Sequence, residues 1–85
     1  MGKIRKVVLD VLKPQDPSIA HLAAKLSDIE GVDGVNIVLY EVDRNTENVK
    51  ITIEGEDLRL DEIINTLEGY GAVVHSICLL YTSDA

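Results

Sequence analysis

The sequence predicts an α+β domain in the order β-α-β-β-α-β, and three observations carry that prediction. Four runs of strand length are rich in Val, Ile and Leu, and two segments between them repeat apolar residues at three- and four-residue spacing. Both of those segments close on the same signature, Ile29-Glu30-Gly31 and Leu67-Glu68-Gly69, a faint internal repeat that divides the chain into two strand-helix-strand halves. At 85 residues the chain is one domain, residues 1–85, with one hydrophobic core.

From Ile4 to Lys13 the run IRKVVLDVLK places Val7, Leu9 and Val11 on one face and Val8, Asp10 and Leu12 on the other, the pattern of a central strand carrying one charge. Pro14 and Pro17 end it, and Asp16 before Pro17 predicts an N-cap ahead of a proline at the first helical position. The helix then runs to Ile29 with Ile19, Leu22, Ala23, Leu26 and Ile29 along one stripe. Val35 to Asp43 reads as a strand covered in part on both faces, and the polar stretch 44–48 as the turn of a hairpin. Beyond it Val49, Ile51 and Ile53 alternate strictly with Lys50, Thr52 and Glu54, which marks a half-buried strand. Asp57 is the expected cap of a second helix ending at Glu68, with Leu60, Ile63, Ile64 and Leu67 inward and Asp61 and Glu62 favourably placed in its first turn. Ala72 to Tyr81 is the last strand, apolar on both faces except at His75 and Ser76. Two β-α-β units joined by a hairpin make the ferredoxin-like split fold: a four-stranded antiparallel sheet with both helices on one face. Right-handed crossovers put the first and third strands in its centre.

Composition narrows the function. Eight basic against fifteen acidic residues give a net charge of −7, which repels a phosphate backbone, and the two central strands carry no aromatic residue for stacking bases, so nucleic acid is excluded as a partner. The charge is polarised: nine of the fifteen carboxylates lie in residues 41–68, whereas residues 1–15 hold four basic residues and one acidic. Cys78 is the one cysteine, so the copper-binding CxxC of some small domains of this order is missing and no intrachain disulfide forms. With no leader and no run of eighteen apolar residues, the expected location is the cytoplasm, with no membrane partner. Three Tyr with no Phe or Trp leave a thin aliphatic core, which at this size favours self-association.

Helices on one face leave the other open, and Val8, Leu12, Val38, Tyr40 or Val42, and Ile77 or Leu79 make that face too apolar to be simply solvated. A homo-oligomer is the expectation. Asp10, a carboxylate within an apolar central strand, needs a partner, either Lys50 or Lys13; a ligand or cation site built with Glu54, or with carboxylates of a neighbouring copy, is the functional alternative. Asp43, Glu47, Glu54, Glu56 and Asp57 offer hard oxygen ligands for Ca or Mg, although their spacing matches no EF-hand loop. His75 and Ser76, adjacent on a strand, face opposite ways and cannot act on each other as a catalytic pair. The leading reading is a small homo-oligomeric structural or regulatory module that takes a divalent cation or a small ligand. The alternative is a small enzyme whose active site, using Asp10, Glu54 and His75, is shared between subunits.

Several segments together resemble the uncharacterised archaeal family catalogued as domain of unknown function 211: Leu9-Asp10-Val11-Leu12-Lys13-Pro14, Gly31-Val32-Asp33-Gly34-Val35-Asn36, the stretch from Thr46 to Gly55, and His75-Ser76-Ile77. The resemblance implies a ferredoxin-like fold and a homo-oligomeric, ring-like assembly, with no established activity. It also marks Asp10, Lys13, Glu47, Lys50, Glu54 and His75 as positions of a shared site. The chain departs from the family pattern at Gln15, where a histidine is usual, and at Cys78 and Leu79, where an acidic pair is usual. Fewer carboxylates weaken a metal site, and Cys and Leu make the last strand more adhesive.

Overall fold

The computed structural model describes residues 2–84 and contains the six expected elements: β1 (Lys3–Pro14), α1 (Ile19–Ser27), β2 (Val32–Val42), β3 (Thr46–Gly55), α2 (Leu60–Gly69) and β4 (Val73–Ser83). They form one four-stranded sheet of order β2-β3-β1-β4, antiparallel throughout, so β1 and β3 are central as the crossover rule requires. This is the ferredoxin-like α+β arrangement.

The alternation of the central strands decides which face is buried. Val7, Leu9 and Val11 of β1 lie opposite Ile53, Ile51 and Val49 of β3 and are sealed from solvent together with Leu22 and Leu26 of α1 and Ile63 and Leu67 of α2. Leu58 and Ala72 complete the core. The helices are short, nine and ten residues, which at about 1.5 Å per residue spans about 14–15 Å. The molecule is 43 Å long, so the helices cover less than half of the sheet's length. Leu39, Val42, Ile77 and Leu80, paired in register with helix-side residues of the central strands, therefore remain exposed.

The element boundaries differ from the sequence expectation at several ends: α1 closes at Ser27 rather than Ile29, β3 opens at Thr46 inside the expected turn because 46–48 pair with β1, and β4 runs from Val73 to Ser83 rather than from Ala72 to Tyr81. Ser18, rather than Asp16, caps α1: its hydroxyl accepts the His21 N–H at 3.1 Å, and Pro17 precedes the cap instead of opening the helix. Arg59 stands at the N-cap of α2 without a side-chain cap bond, two residues beyond the expected Asp57, while Asp61 and Glu62 occupy the first turn as predicted. β2 begins at Val32 rather than Val35, because Gly34 pairs with Glu54 and the glycine-containing segment joins the ladder.

Gly55 and Gly31 lock the end of the hairpin beneath the second crossover. A Cβ on Gly55 would collide with the Gly31 carbonyl oxygen, and Gly31 itself has φ +93° with the Asp57 carbonyl 2.6 Å from where its Cβ would stand. Both positions need glycine, one for close approach of two backbones and one also for its left-handed conformation.

Candidate functional site

Three strands contribute to one cavity on the open face. Val38 of β2, Lys50 of β3 and Asp10 of β1 stand abreast in the sheet, since Val38 pairs with Lys50 and Lys50 with Asp10. Cross-strand partners project to the same side, and here that side is away from the helices. Tyr40 completes the set. The register between β2 and β3 shifts between Leu39 and Glu41, leaving Tyr40 as the extra residue of a bulge, and bulges commonly re-aim a side chain. Its ring reaches back over β3 and its hydroxyl donates to Asp10 Oδ1 at 2.6 Å. The cavity lined by Asp10, Val38, Tyr40 and Lys50 has a volume of about 320 Å³, within the range of small-molecule sites.

The Asp10 carboxylate raises the Tyr40 pKa above its ordinary 10.0, chiefly through this hydrogen bond, with partial desolvation and the carboxylate's charge adding in the same direction. Tyr40 thus holds its proton more tightly in the folded chain than in the unfolded one. Its contribution to stability is present below pH 10 and is lost as the pH rises through the folded-state value. Replacing Asp10 by Asn should bring the phenol's midpoint back down toward 10.0. Ultraviolet titration of the wild type and D10N checks this, and coincident curves would mean that the bond does not persist in solution.

Asp10 therefore has a partner, though not either of the lysines expected from the sequence. Lys50 is its register neighbour but makes no hydrogen bond or ion pair among the described residues, and the protein bond to Asp10 comes from Tyr40. Lys13 follows the phase of Val7, Leu9 and Val11 to the helix side of the sheet, where it is 1% exposed. There its Nζ donates to Glu47 Oε1 at 2.6 Å and to the Pro14 carbonyl at 2.7 Å. Lys13 and Glu47 thus form an ion pair on the opposite face from Asp10, with the ammonium buried and the carboxylate partly exposed.

The remaining candidates are dispersed. Glu54 pairs in register with Lys6 on the open face, four positions along β3 from Lys50, which is about 13 Å at the usual rise of a strand. His75 and Cys78 fall at two irregularities where β4 has an extra residue against β1, and both are exposed. Asp10, Glu47 and Glu54 are not brought together within one chain, and among the described residues no three His, Cys, Asp or Glu are grouped to hold a metal ion. The Asp10, Glu54 and His75 set of the enzyme reading is likewise not gathered in a single protomer. A second hollow beside the start of α1, lined by Asp16, Pro17, Ser18, His21 and Tyr70, is closed on one side by an edge-to-face contact between His21 and Tyr70 at 5.9 Å.

The outer strands form the other unusual surface. Between Val73 and Ser83 β4 carries no Asp, Glu, Lys or Arg, and Val73, Ile77, Leu79, Leu80 and Tyr81 are all about half exposed. By register, Val73, Leu79 and Tyr81 belong to the open face and Ile77 and Leu80 to the helix side. β2, at the opposite edge, exposes Val38, Leu39, Tyr40 and Val42. Among the described residues no helix is long and apolar enough to cross a membrane.

The order of elements, the antiparallel sheet and its bare face define a small α+β domain of ferredoxin-like type. Residues 5–82 match the family DUF211, described as uncharacterised ArCR, and the chain belongs to that family. An uncharacterised protein of Methanocaldococcus jannaschii, MJ0319, is 52% identical over 77 residues, covering 91% of this chain and 79% of its own length.

Proposed function

We propose that the chain is a self-assembling module, structural or regulatory in role, whose copies join edge to edge into a closed ring and present the open-face cavity at Asp10 to a small ligand. The observation that carries the assembly is the uncharged apolar edge of β4, which lies opposite a second edge, β2, that exposes Val38, Leu39, Tyr40 and Val42 beside the charges of Asp33 and Glu41. A free strand edge is a template for pairing, and soluble proteins blunt such edges with charge, proline or a covering element. β4 has bulges but no charged residue or proline, and it is apolar on both sides.

Topology adds direction. In the order β2-β3-β1-β4 with every neighbour antiparallel, β2 and β4 themselves run in opposite directions. Placing the β4 of one copy beside the β2 of an identically oriented copy therefore continues the antiparallel alternation. This contact is heterologous, so it propagates head to tail and, when the rotation closes, leaves no free edge. The regular right-handed twist of a sheet supplies rotation at each step.

The cavity supports the ligand half of the reading. Only Asp10 among its lining residues is a carboxylate and Lys50 places a positive charge beside it, so within one chain it suits a small organic molecule rather than Ca or Mg. Light scattering coupled to size exclusion tests the assembly: it should give one discrete mass larger than twice the 9.3 kDa of the chain. A 9.3 kDa species at micromolar concentration would refute it.

A further inference from the structure

We infer that the open-face cavity takes a small zwitterion, an α-amino acid with an apolar side chain, held by its ammonium on Asp10 and its carboxylate on Lys50. The inference rests on the reading of that cavity as a ligand site and names the chemistry the site would recognise.

Asp10 Oδ1 receives the Tyr40 hydroxyl, which leaves Oδ2 without a donor among the described residues, and a carboxylate has acceptor capacity for several bonds. Lys50 brings three donors and makes no hydrogen bond or ion pair among the described residues. These opposite charges stand on neighbouring strands at paired positions, so their backbones are about 4.8 Å apart. Cross-strand partners project to the same side, so both side chains can reach a ligand that carries its ammonium and its carboxylate on one carbon. Direct closure of Lys50 on Asp10 competes weakly, because an exposed ion pair between flexible side chains is worth little.

Alternatives fit the same four residues less well. A cation would meet the Lys50 ammonium, and no further carboxylate, His or Cys lines the cavity to coordinate it. A simple anion would meet Asp10, and a neutral apolar molecule would leave both charges unmatched. A zwitterion satisfies both at once. Its side chain then lies against Val38 and the Tyr40 ring, which are about half exposed and supply the apolar wall. Tyr40 has a positioning role: its hydrogen bond holds the Asp10 carboxylate in place on the sheet face.

Saturation-transfer difference NMR on the native full chain tests this with three probes: L-leucine, isovalerate, which lacks the ammonium, and isoamylamine, which lacks the carboxylate. Leucine should show saturable transfer with a dissociation constant in the range of about 0.1–1 mM, as expected for so few contacting atoms. Each single-charge probe should bind about three- to fivefold more weakly, the effect of losing one ion pair at a partly exposed group. The substitutions Asp10→Asn and Lys50→Met, both at partly or fully exposed positions, should each weaken leucine by a similar factor. Saturable binding of isovalerate or isoamylamine as tight as that of leucine would overturn the zwitterion and keep the cavity as a ligand site. No saturable transfer from any probe would overturn both. The comparison among probes on the wild-type chain stands even if a variant misfolds, and the assembly is judged separately by its mass.

Discussion

Lys13→Ala should cost about 2–3 kcal/mol of folding stability, because it removes a buried aliphatic stem and takes its partner from a carboxylate that is only partly open to water. Lys13 is 1% exposed and Glu47 18% exposed, and the ammonium is held by both the Glu47 carboxylate at 2.6 Å and the Pro14 carbonyl at 2.7 Å. Without it the carboxylate at the hairpin end of β3 loses its one protein donor among the described residues. Domains of this size have about 5–15 kcal/mol in total, so the loss is a large fraction of what is available. The double substitution Lys13→Met with Glu47→Leu should recover most of it, since apolar groups of similar volume can replace a buried pair at little cost. Urea unfolding at one fixed protein concentration is the appropriate measurement, because assembly itself contributes to stability by mass action. A loss below about 1 kcal/mol in the single variant would place the pair in the class of surface bridges that matter little.

Paired lysines on either outer strand should dissolve the assembly. Leu79→Lys with Leu80→Lys puts a charge on each side of β4, and Val38→Lys with Leu39→Lys does the same on β2; all four side chains are 39–52% exposed in the single chain. Register places Leu79 and Val38 on the open face and Leu80 and Leu39 on the helix side. Neither change touches the sealed core formed by Val7, Leu9, Val11, Val49, Ile51 and Ile53. Folding should therefore survive in both variants while edge pairing fails, since like charges and lost apolar contact act together at a newly desolvated edge. The expected result is a folded species of 9.3 kDa in each case. A variant that keeps the native mass would show that its strand does not form the contact.

Much of the fold was legible because the strongest signals are local. The alternation of Val49, Ile51 and Ile53 with polar residues, and the phase of Val7, Leu9 and Val11, correctly assigned the helix-facing side of both central strands. What shifted were the ends. Ser18 took the cap role from Asp16, and backbone pairing with Glu54 brought Gly34, ahead of the expected start at Val35, into the ladder. The same phase already contained the location of Lys13, three positions from Asp10 and thus on the other face of an extended strand, and two beyond Val11 in the core register.

The site was legible only in part. Asp10 stood out as a charge on an apolar strand, but the lysines expected to partner it do not: Lys50 is its register neighbour without a bond to it, and Lys13 lies on the other face. Tyr40 was placed on the open face but could not be paired with Asp10 from spacing alone, because the contact spans thirty positions of sequence and depends on a bulge that breaks the β2–β3 register. Glu47 and Glu54, grouped by sequence with the acidic surface, diverge because odd and even positions of β3 face opposite ways. Sequence proximity overstated the acidic cluster, and strand geometry divided it.

In the proposed ring unlike edges join, β4 of one copy to β2 of the next. Mixing the β4 double variant with the β2 double variant tests it most directly, because the first keeps an intact β2 and the second an intact β4. Light scattering on the equimolar mixture should show a new species of two chains, twice 9.3 kDa, while each variant alone stays at 9.3 kDa. A mixture that remains at 9.3 kDa, or either variant dimerising by itself, would contradict the account.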